Sequence, residues 1–335
     1  MTVAIEIKKN IYLLKIPTPF FVGPVNAYLI REDPVTLIDA GPKTDEAREA
    51  LLYGLKESRV SVNDIKRVVL THCHSDHFGN ARFIQEASDC EVILNEGDSH
   101  YIMGSYDDVI KKWCDGINIF FKESGVDKKE AGELSVRFGS RLKKFGDSLE
   151  RATFVQEGFA VKTDSYNLKV LHTPGHSPGS ISLYSKKNGF VFSGDTVLEG
   201  ITPNPVAEVM DGYREFNNLQ AYRNSLEKVL ALNFISVLPG HGSPFNKDIK
   251  ILEKRKREEE KRQGKIIEAL NSSEKNYLEL AEILFGKQEA GGIFLALSEV
   301  SAHSKELILK ERIEAVKGDS GVLYLRRQDH KKNSE

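Results

Sequence analysis

The densest chemistry in the chain lies in one short stretch, THCHSDHFGN, where His72, His74 and His77 stand with Asp76 inside six residues. Three imidazoles and a carboxylate this close suit Zn²⁺ or an iron ion, whereas Ca²⁺ and Mg²⁺ prefer cages of oxygen. Three further candidate ligands follow at separate places: His176 in TPGHSPGS, Asp195 in FSGDTV and His241 in LPGHGSP. A lone histidine or aspartate of this kind is more often a core or surface residue than a ligand. Here all four places come directly after strand-like runs, in loops where a rigid scaffold can aim side chains at one point. That coincidence favours a metal site, and glycine beside each of the last three lets backbone pack tightly around an ion.

The elements that must position these residues can be read from the pattern of apolar runs. Up to about Asp39, the runs IYLLKI, NAYLI and VTLID are broken by Pro17, Pro19, Gly23, Pro24 and Pro34 and read as strands joined by turns. Helical spacing at Ala47, Leu51, Leu52 and Leu55 predicts a helix over 44–58, and IKRVVL predicts a buried strand that delivers the histidine cluster into a loop. The alternation continues with a helix over 80–86, strands over 91–94 and 168–172, the hairpin ISLYSKKNGFVFSG, a helix over 216–230 and the strand SVLPG. Mixed strands and helices of these lengths imply a layered α/β domain.

Two stretches depart from that rhythm. Residues 97–157 form a long charged segment with helical spacing, which we read as a helical insertion; Tyr101, Tyr106 and Trp113 within it are candidates to line a substrate cap. Aromatic residues at helical spacing are more often core than binding surface, so this assignment competes with plain packing. The second departure is EKRKREEEKR, ten consecutive charged residues over 253–262 that read as a solvated linking helix. Beyond it, helices over 277–285 and 293–309 and two strands around a Gly318/Gly321 turn give the order of a winged helix. The expected division is therefore a catalytic domain over 1–250 and a linking helix with a small winged-helix-like α+β domain over 251–335.

Bulk properties remove several classes of function. In 335 residues, 40% are hydrophobic and 29% charged, and no apolar run approaches the roughly 20 residues that span a bilayer. The N-terminus lacks the features of a signal peptide, which makes the cytoplasm the default location. Cys73, Cys90 and Cys114 form no CxxC pair and suggest neither a disulfide framework nor a thiolate metal site. With 47 basic against 49 acidic residues the net charge is −2, so no global positive potential draws the chain to phosphate backbones.

The motif His72-x-His74-x-Asp76-His77 followed by His176, Asp195 and His241 resembles that of the metallo-β-lactamase superfamily, and the resemblance covers residues 1 to roughly 250. It implies an αββα sandwich with the metals at one edge of the two sheets. It also implies two divalent ions, Zn²⁺ before Fe or Mn: His72, His74 and His176 would hold the first, Asp76, His77 and His241 the second, with Asp195 bridging. Asp39, in LIDAG, matches a supporting position of the family. The presence of Asp76 and Asp195 resembles the glyoxalase II and ribonuclease Z branch rather than the lactamases that use a cysteine ligand, which disfavours a β-lactam substrate. Two such ions would lower the pKa of a bridging water towards ~7 and polarise a carbonyl or phosphoryl oxygen, so hydrolysis by a metal-bridging hydroxide is the expected reaction. Asp76 would both ligate and orient the hydroxide. Cys73 and His172 read as packing residues.

For the substrate, the first expectation is a small ester or thioester, with the insertion acting as the cap. The alternative is a phosphodiesterase or endoribonuclease acting on single-stranded RNA, weakened by the balanced set Glu299, Lys305, Glu306, Lys310, Glu311 and Arg312 on the second helix of the C-terminal segment. A second alternative is an iron-dependent sulfur dioxygenase, because the same ligands can hold iron. The expected partners are a small molecule and neither a membrane nor, by preference, a nucleic acid; a homodimer stays open.

Overall fold

The computed structural model describes residues 4–328 apart from Ile201, Asp211, Tyr213 and Glu289. Residues 1–3 and 329–335 of the two expected segments, and Ile201 of the loop after Asp195, therefore lie outside the described residues. The chain divides into two compact units: Met1–Lys111, Gly139–Pro203 and Tyr222–Ile249 form one, and Lys112–Phe138, Asn204–Ala221 and Lys250–Glu335 form the other.

The first unit holds two sheets. One is seven-stranded and keeps chain order: β1 (Ile5–Lys8), β2 (Ile11–Ile16), β3 (Val25–Ile30), β4 (Thr36–Ile38), β5 (Arg67–Val69), β6 (Glu91–Leu94) and β7 (Thr153–Phe154). The other is six-stranded: β8 (Ala160–Lys162), β9 (Asn167–His172), β10 (Ile181–Ser185), β11 (Phe190–Gly194), β12 (Ser236–Pro239) and β13 (Phe245–Asn246), each beside its neighbour in sequence. The first strands of the seven-stranded sheet pair antiparallel, and β4 to β7 are parallel, as crossover helices require. One apolar cluster joins the inner faces, with Ile11, Tyr28, Ile38 and Val69 from the first sheet and Leu168, Leu183, Phe192 and Leu238 from the second. Alternating strand residues fill such a layer, because successive side chains point to opposite faces.

Helices cover the outer faces. The first, α1 (Asp45–Glu57), starts where Thr44 accepts a hydrogen bond from the Ala47 N–H, carries Asp45 and Glu46 in its first turn, and buries Ala47, Leu51 and Leu55. Two more follow β5, the one-turn α2 (Ser75–Phe78) and α3 (Ala81–Ser88). The sequence predicted a plain loop where α2 stands. The insertion is two helices, α4 (Tyr106–Glu123) and α5 (Lys128–Phe145), and α6 (Asn218–Leu230) precedes β12.

At one edge the two sheets are stitched by backbone. The Ile181 N–H of β10 donates to the Thr71 carbonyl just past β5, and the Asn26 N–H of β3 donates to the Gly240 carbonyl just past β12. This edge is where the candidate ligands gather.

In the second unit, α7 (Lys250–Ala269), α8 (Tyr277–Phe285) and α9 (Ala290–Leu309) accompany a three-stranded antiparallel sheet of β14 (Lys275–Asn276), β16 (Leu323–Arg327) and β15 (Ile313–Lys317). Asn276 and Glu279 form a reciprocal capping box at the start of α8. Most of α7 is solvated, although Ile266 is buried and Arg255 is buried and bonded to Glu258. The unit also takes in the middle of the insertion. Its reason is aromatic packing: Trp113, Phe120, Phe121 and Phe138 surround Phe294 of α9 with ring centroids 5.3–6.2 Å away. Among the described residues no helix is long and apolar enough to cross a membrane.

Candidate metal centre

Each candidate ligand arrives on a strand end. The strand β5 runs into Thr71 and His72; His74 is the N-cap of α2, whose single turn carries Asp76 and His77; His176 lies between β9 and β10; Asp195 follows β11 and His241 follows β12. A one-turn helix in place of a loop has a consequence. It points Asp76 and His77 back towards the position of His72, while the extended residues before it carry His72 and His74 in.

The structure brings these side chains together in three groupings whose donor atoms lie within 4.8 Å of one another: His72, His74 and His176; His72, His77 and Asp195; and Asp76, His77 and His241. Within them the His74 Nδ1 is 2.9 Å from the His176 Nε2, the His241 Nε2 is 3.3 Å from the Asp76 Oδ2, and the two carboxylate oxygens of Asp195 lie 3.5–3.6 Å from His77, His176 and His241. Gly240 is required beside them, because a Cβ there would sit 2.3 Å from the Asp195 Oδ1.

The rings are held from behind. The His77 Nδ1 lies 2.8 Å from the Asp39 Oδ2, and the His241 Nδ1 lies 3.0 Å from the Pro24 carbonyl. Thr71 donates its hydroxyl to Asp39 and stands 3.1 Å from the His72 Nδ1. Because that hydroxyl is already donating, it accepts from His72, which places the proton on Nδ1 and leaves Nε2 bare. In all three residues Nδ1 is tied and Nε2 faces the site, the arrangement by which ligating histidines are oriented.

Burial of unsatisfied polar atoms is costly. The His72 Nε2, His77 Nε2, His176 Nδ1, Asp195 Oδ1 and His241 Nε2 are all buried with no hydrogen-bond partner in the protein. A divalent cation would satisfy four of these directly, so the donor set fits a metal. Charge in the metal-free chain is mixed, and His77 would have to give up its proton to ligate. Burial, reinforced by the neighbouring imidazoles, pushes His72 and His176 well below the ordinary histidine range and keeps them neutral. Burial opposes a charge on His77 too, but Asp39, Asp76 and Asp195 outweigh it and lift the pKa to about 10. Burial likewise works against charge on Asp76, yet His77 and His241 hold it well below the carboxylate range as an anion.

The three candidate cap residues part company. Tyr101 stands beside the ligands, its ring 6.5 Å from that of His74. Tyr106 donates its hydroxyl to the Leu142 carbonyl, and Trp113 is packed against Phe294 in the second unit at 8% exposure. Cys73 is buried, and the ring of His172 bonds the Pro178 carbonyl beneath the His176 loop, in keeping with packing roles. One residue escaped the sequence reading altogether. Asp98, in the 3₁₀ turn after β6, is fully buried and accepts hydrogen bonds from both histidine loops. Its only signal is an acidic residue soon after a buried strand, which describes many ordinary loops.

The sequence profile of the Metallo-beta-lactamase superfamily matches residues 21–241. Over 314 residues the chain is 30% identical to the "Probable metallo-hydrolase YqjP" of Bacillus subtilis, spanning 91% of this chain and 94% of that one. It is 29% identical over 178 residues to the hydroxyacylglutathione hydrolase GloC of Haemophilus influenzae, spanning 52% of this chain and 68% of that protein. The crystal structure of a metallo-beta-lactamase family protein from Thermus thermophilus superposes with a TM-score of 0.82 at 24% identity, over 95% of this chain and 98% of the other, and shows the same fold. The matched span contains every candidate ligand from His72 to His241, and the chain belongs to the metallo-beta-lactamase superfamily as a metal-dependent hydrolase.

Proposed function

We propose that the protein is a dinuclear hydrolase of the glyoxalase II-like branch that cleaves a small ester or thioester. The observation that carries the reading is the set of buried, unpartnered ring and carboxylate atoms converging at one sheet edge. In this reading His72, His74 and His176 hold one divalent ion, Asp76, His77 and His241 hold a second, Asp195 reaches both, and Zn²⁺ is the preferred metal. Such ions, when bound, supply the positive charge that acidifies a water near neutral pH and polarises an acyl carbonyl.

The remaining steps belong to the chain. Asp76 stays an anion at neutral pH, so its carboxylate can accept a hydrogen bond from the attacking water and orient it. Asp39 keeps His77 in place through the Nδ1 contact, and the Pro24 carbonyl does the same for His241. Tyr101 offers an apolar wall beside His74, suited to an acyl group. The likeness to a hydroxyacylglutathione hydrolase supports a small acyl substrate, and the near-neutral net charge gives no support to a polyanion. The C-terminal segment reads as winged-helix-like from its order of helices and hairpin, and the cytoplasm remains the proposed location.

The test is a panel of thioesters, lactones, phosphodiesters and short single-stranded RNA, offered to the Zn²⁺-loaded protein, with metal analysis of protein purified without added metal. Hydrolysis of thioesters or esters with RNA left intact is expected. Preferred cleavage of RNA would replace the reading with the ribonuclease one. Resident iron with oxygen-dependent turnover of a persulfide would replace it with the dioxygenase one.

A further inference from the structure

We propose that Asp98 is a positioning residue that clasps the two loops carrying His72, His74 and His176 into one metal-holding group. The proposal rests on the metal-centre reading above and adds the residue that builds half of it.

Asp98 is 0% exposed and lies in the turn after β6, a segment that supplies no ligand. Its Oδ2 accepts from the Cys73 N–H at 2.9 Å and from the Ser177 hydroxyl at 2.7 Å, while its Oδ1 accepts from the Gly179 N–H at 2.5 Å. Cys73 is the residue between His72 and His74, and Ser177 directly follows His176. Each of the three histidines in the group thus has, as its neighbour in the chain, a residue bonded to this one carboxylate. Ser180 extends the arrangement: its hydroxyl accepts from the Ser177 N–H at 3.1 Å and lies 2.7 Å from the Ser177 hydroxyl. Because the Ser177 hydroxyl donates to Asp98, it accepts from Ser180, and the polarity of the chain is fixed.

The backbones are brought close enough for this by missing side chains. A Cβ on Gly179 would lie 2.4 Å from the Asp98 N, and one on Gly97 would lie 2.9 Å from the Gly179 Cα. The clasp does not touch the grouping of Asp76, His77 and His241, where the contacts behind His77 and His241 come from Asp39 and Pro24. A loop that drifts by a fraction of an ångström separates the His74 and His176 nitrogens, and Asp98 adds a side-chain tether to the backbone bond from Ile181 to Thr71.

Three donors converge on Asp98 from two sides, so an amide cannot replace it: an Asn has one accepting oxygen, and its NH₂ would face an N–H donor. Asp98→Asn is therefore expected to weaken one ion and spare the other. Losses of about 10–100-fold in metal affinity are typical when the support of a ligand is removed. The experiment titrates metal-free full-length protein with Co²⁺ against a chelator and follows the visible absorption bands. Wild type should fill two sites, Asp98→Asn should lose affinity at one of them by about 10–100-fold, and Ser177→Ala, which removes a single donor and keeps the carboxylate, should show a smaller loss at the same site. Asp98→Asn should add nothing further in a His176→Ala background, where the group is already broken. An unchanged titration, equal weakening of both sites, or the same additional loss in the His176→Ala background would overturn the clasp. A wild-type protein that takes up no Co²⁺ would overturn the metal reading as well.

Discussion

The two halves of the proposed metal centre are built by different means, although each depends on a buried carboxylate that accepts three hydrogen bonds. Asp39 accepts from the Thr71 N–H, the Thr71 hydroxyl and the His77 ring, so it acts on an imidazole directly and sets that ring's charge. Asp98 accepts from two backbone N–H groups and one hydroxyl, and acts on loop positions alone. A carboxylate against a ring changes both geometry and basicity. One against backbone acts mainly by fixing geometry. The half that contains Asp76, proposed to orient the attacking water, is the half with the direct electrostatic support.

The sharpest way to break this comparison is at Asp76 itself. Asp76→Asn should lower kcat by about 100-fold or more, since an amide cannot supply the charge that orients the water, while the melting temperature stays near that of wild type; turnover near the wild-type rate would remove the role. Next in size is Asp39→Asn, which should weaken the ion held by Asp76, His77 and His241 by about 10–100-fold, the mirror of the loss expected for Asp98→Asn. Chelator competition reads it, and weakening of the wrong site would show that the two halves are not independent.

A third test contrasts the centre with the second unit. Trp113→Ala removes a ring packed against Phe294 and should destabilise the protein by about 3–5 kcal/mol, with KM for small acyl esters unchanged in the folded fraction. The sequence offered Trp113 as a candidate cap residue, and a raised KM at wild-type stability would favour that role over packing. The smallest effect is in pH. In metal-free protein the His77 pKa is lifted from 6.5 to about 10, so the stability it contributes is present below pH 6.5 and is lost as pH rises towards 10. Urea unfolding of metal-free wild type should weaken across that window, and Asp39→Asn should flatten the slope. An equal slope in both would detach the shift from Asp39.

Much of the catalytic unit was open to sequence reasoning. The strand IYLLKI was predicted over the span that forms β2, and the hairpin ISLYSKKNGFVFSG forms β10 and β11, because a buried strand needs only a local run of apolar residues to be recognised. The helices of the insertion were legible in their spacing. Their allegiance was not: the apolar face of α4 reads the same whether it covers a metal or meets Phe294.

What the sequence by itself determined is therefore the chemistry of the donors. His72, His74, Asp76, His77, His176, Asp195 and His241 stand out as candidates by residue type and by their place after strands, and both are local properties. The tertiary structure alone decided which donors share a grouping, that Tyr101 stands by His74 while Trp113 packs on Phe294, and that Asp98 ties two loops together. These depend on contacts such as the 79 residues between Asp98 and Ser177, and no local pattern records a partner that distant. A buried carboxylate reveals its purpose only through the donors that the fold turns towards it.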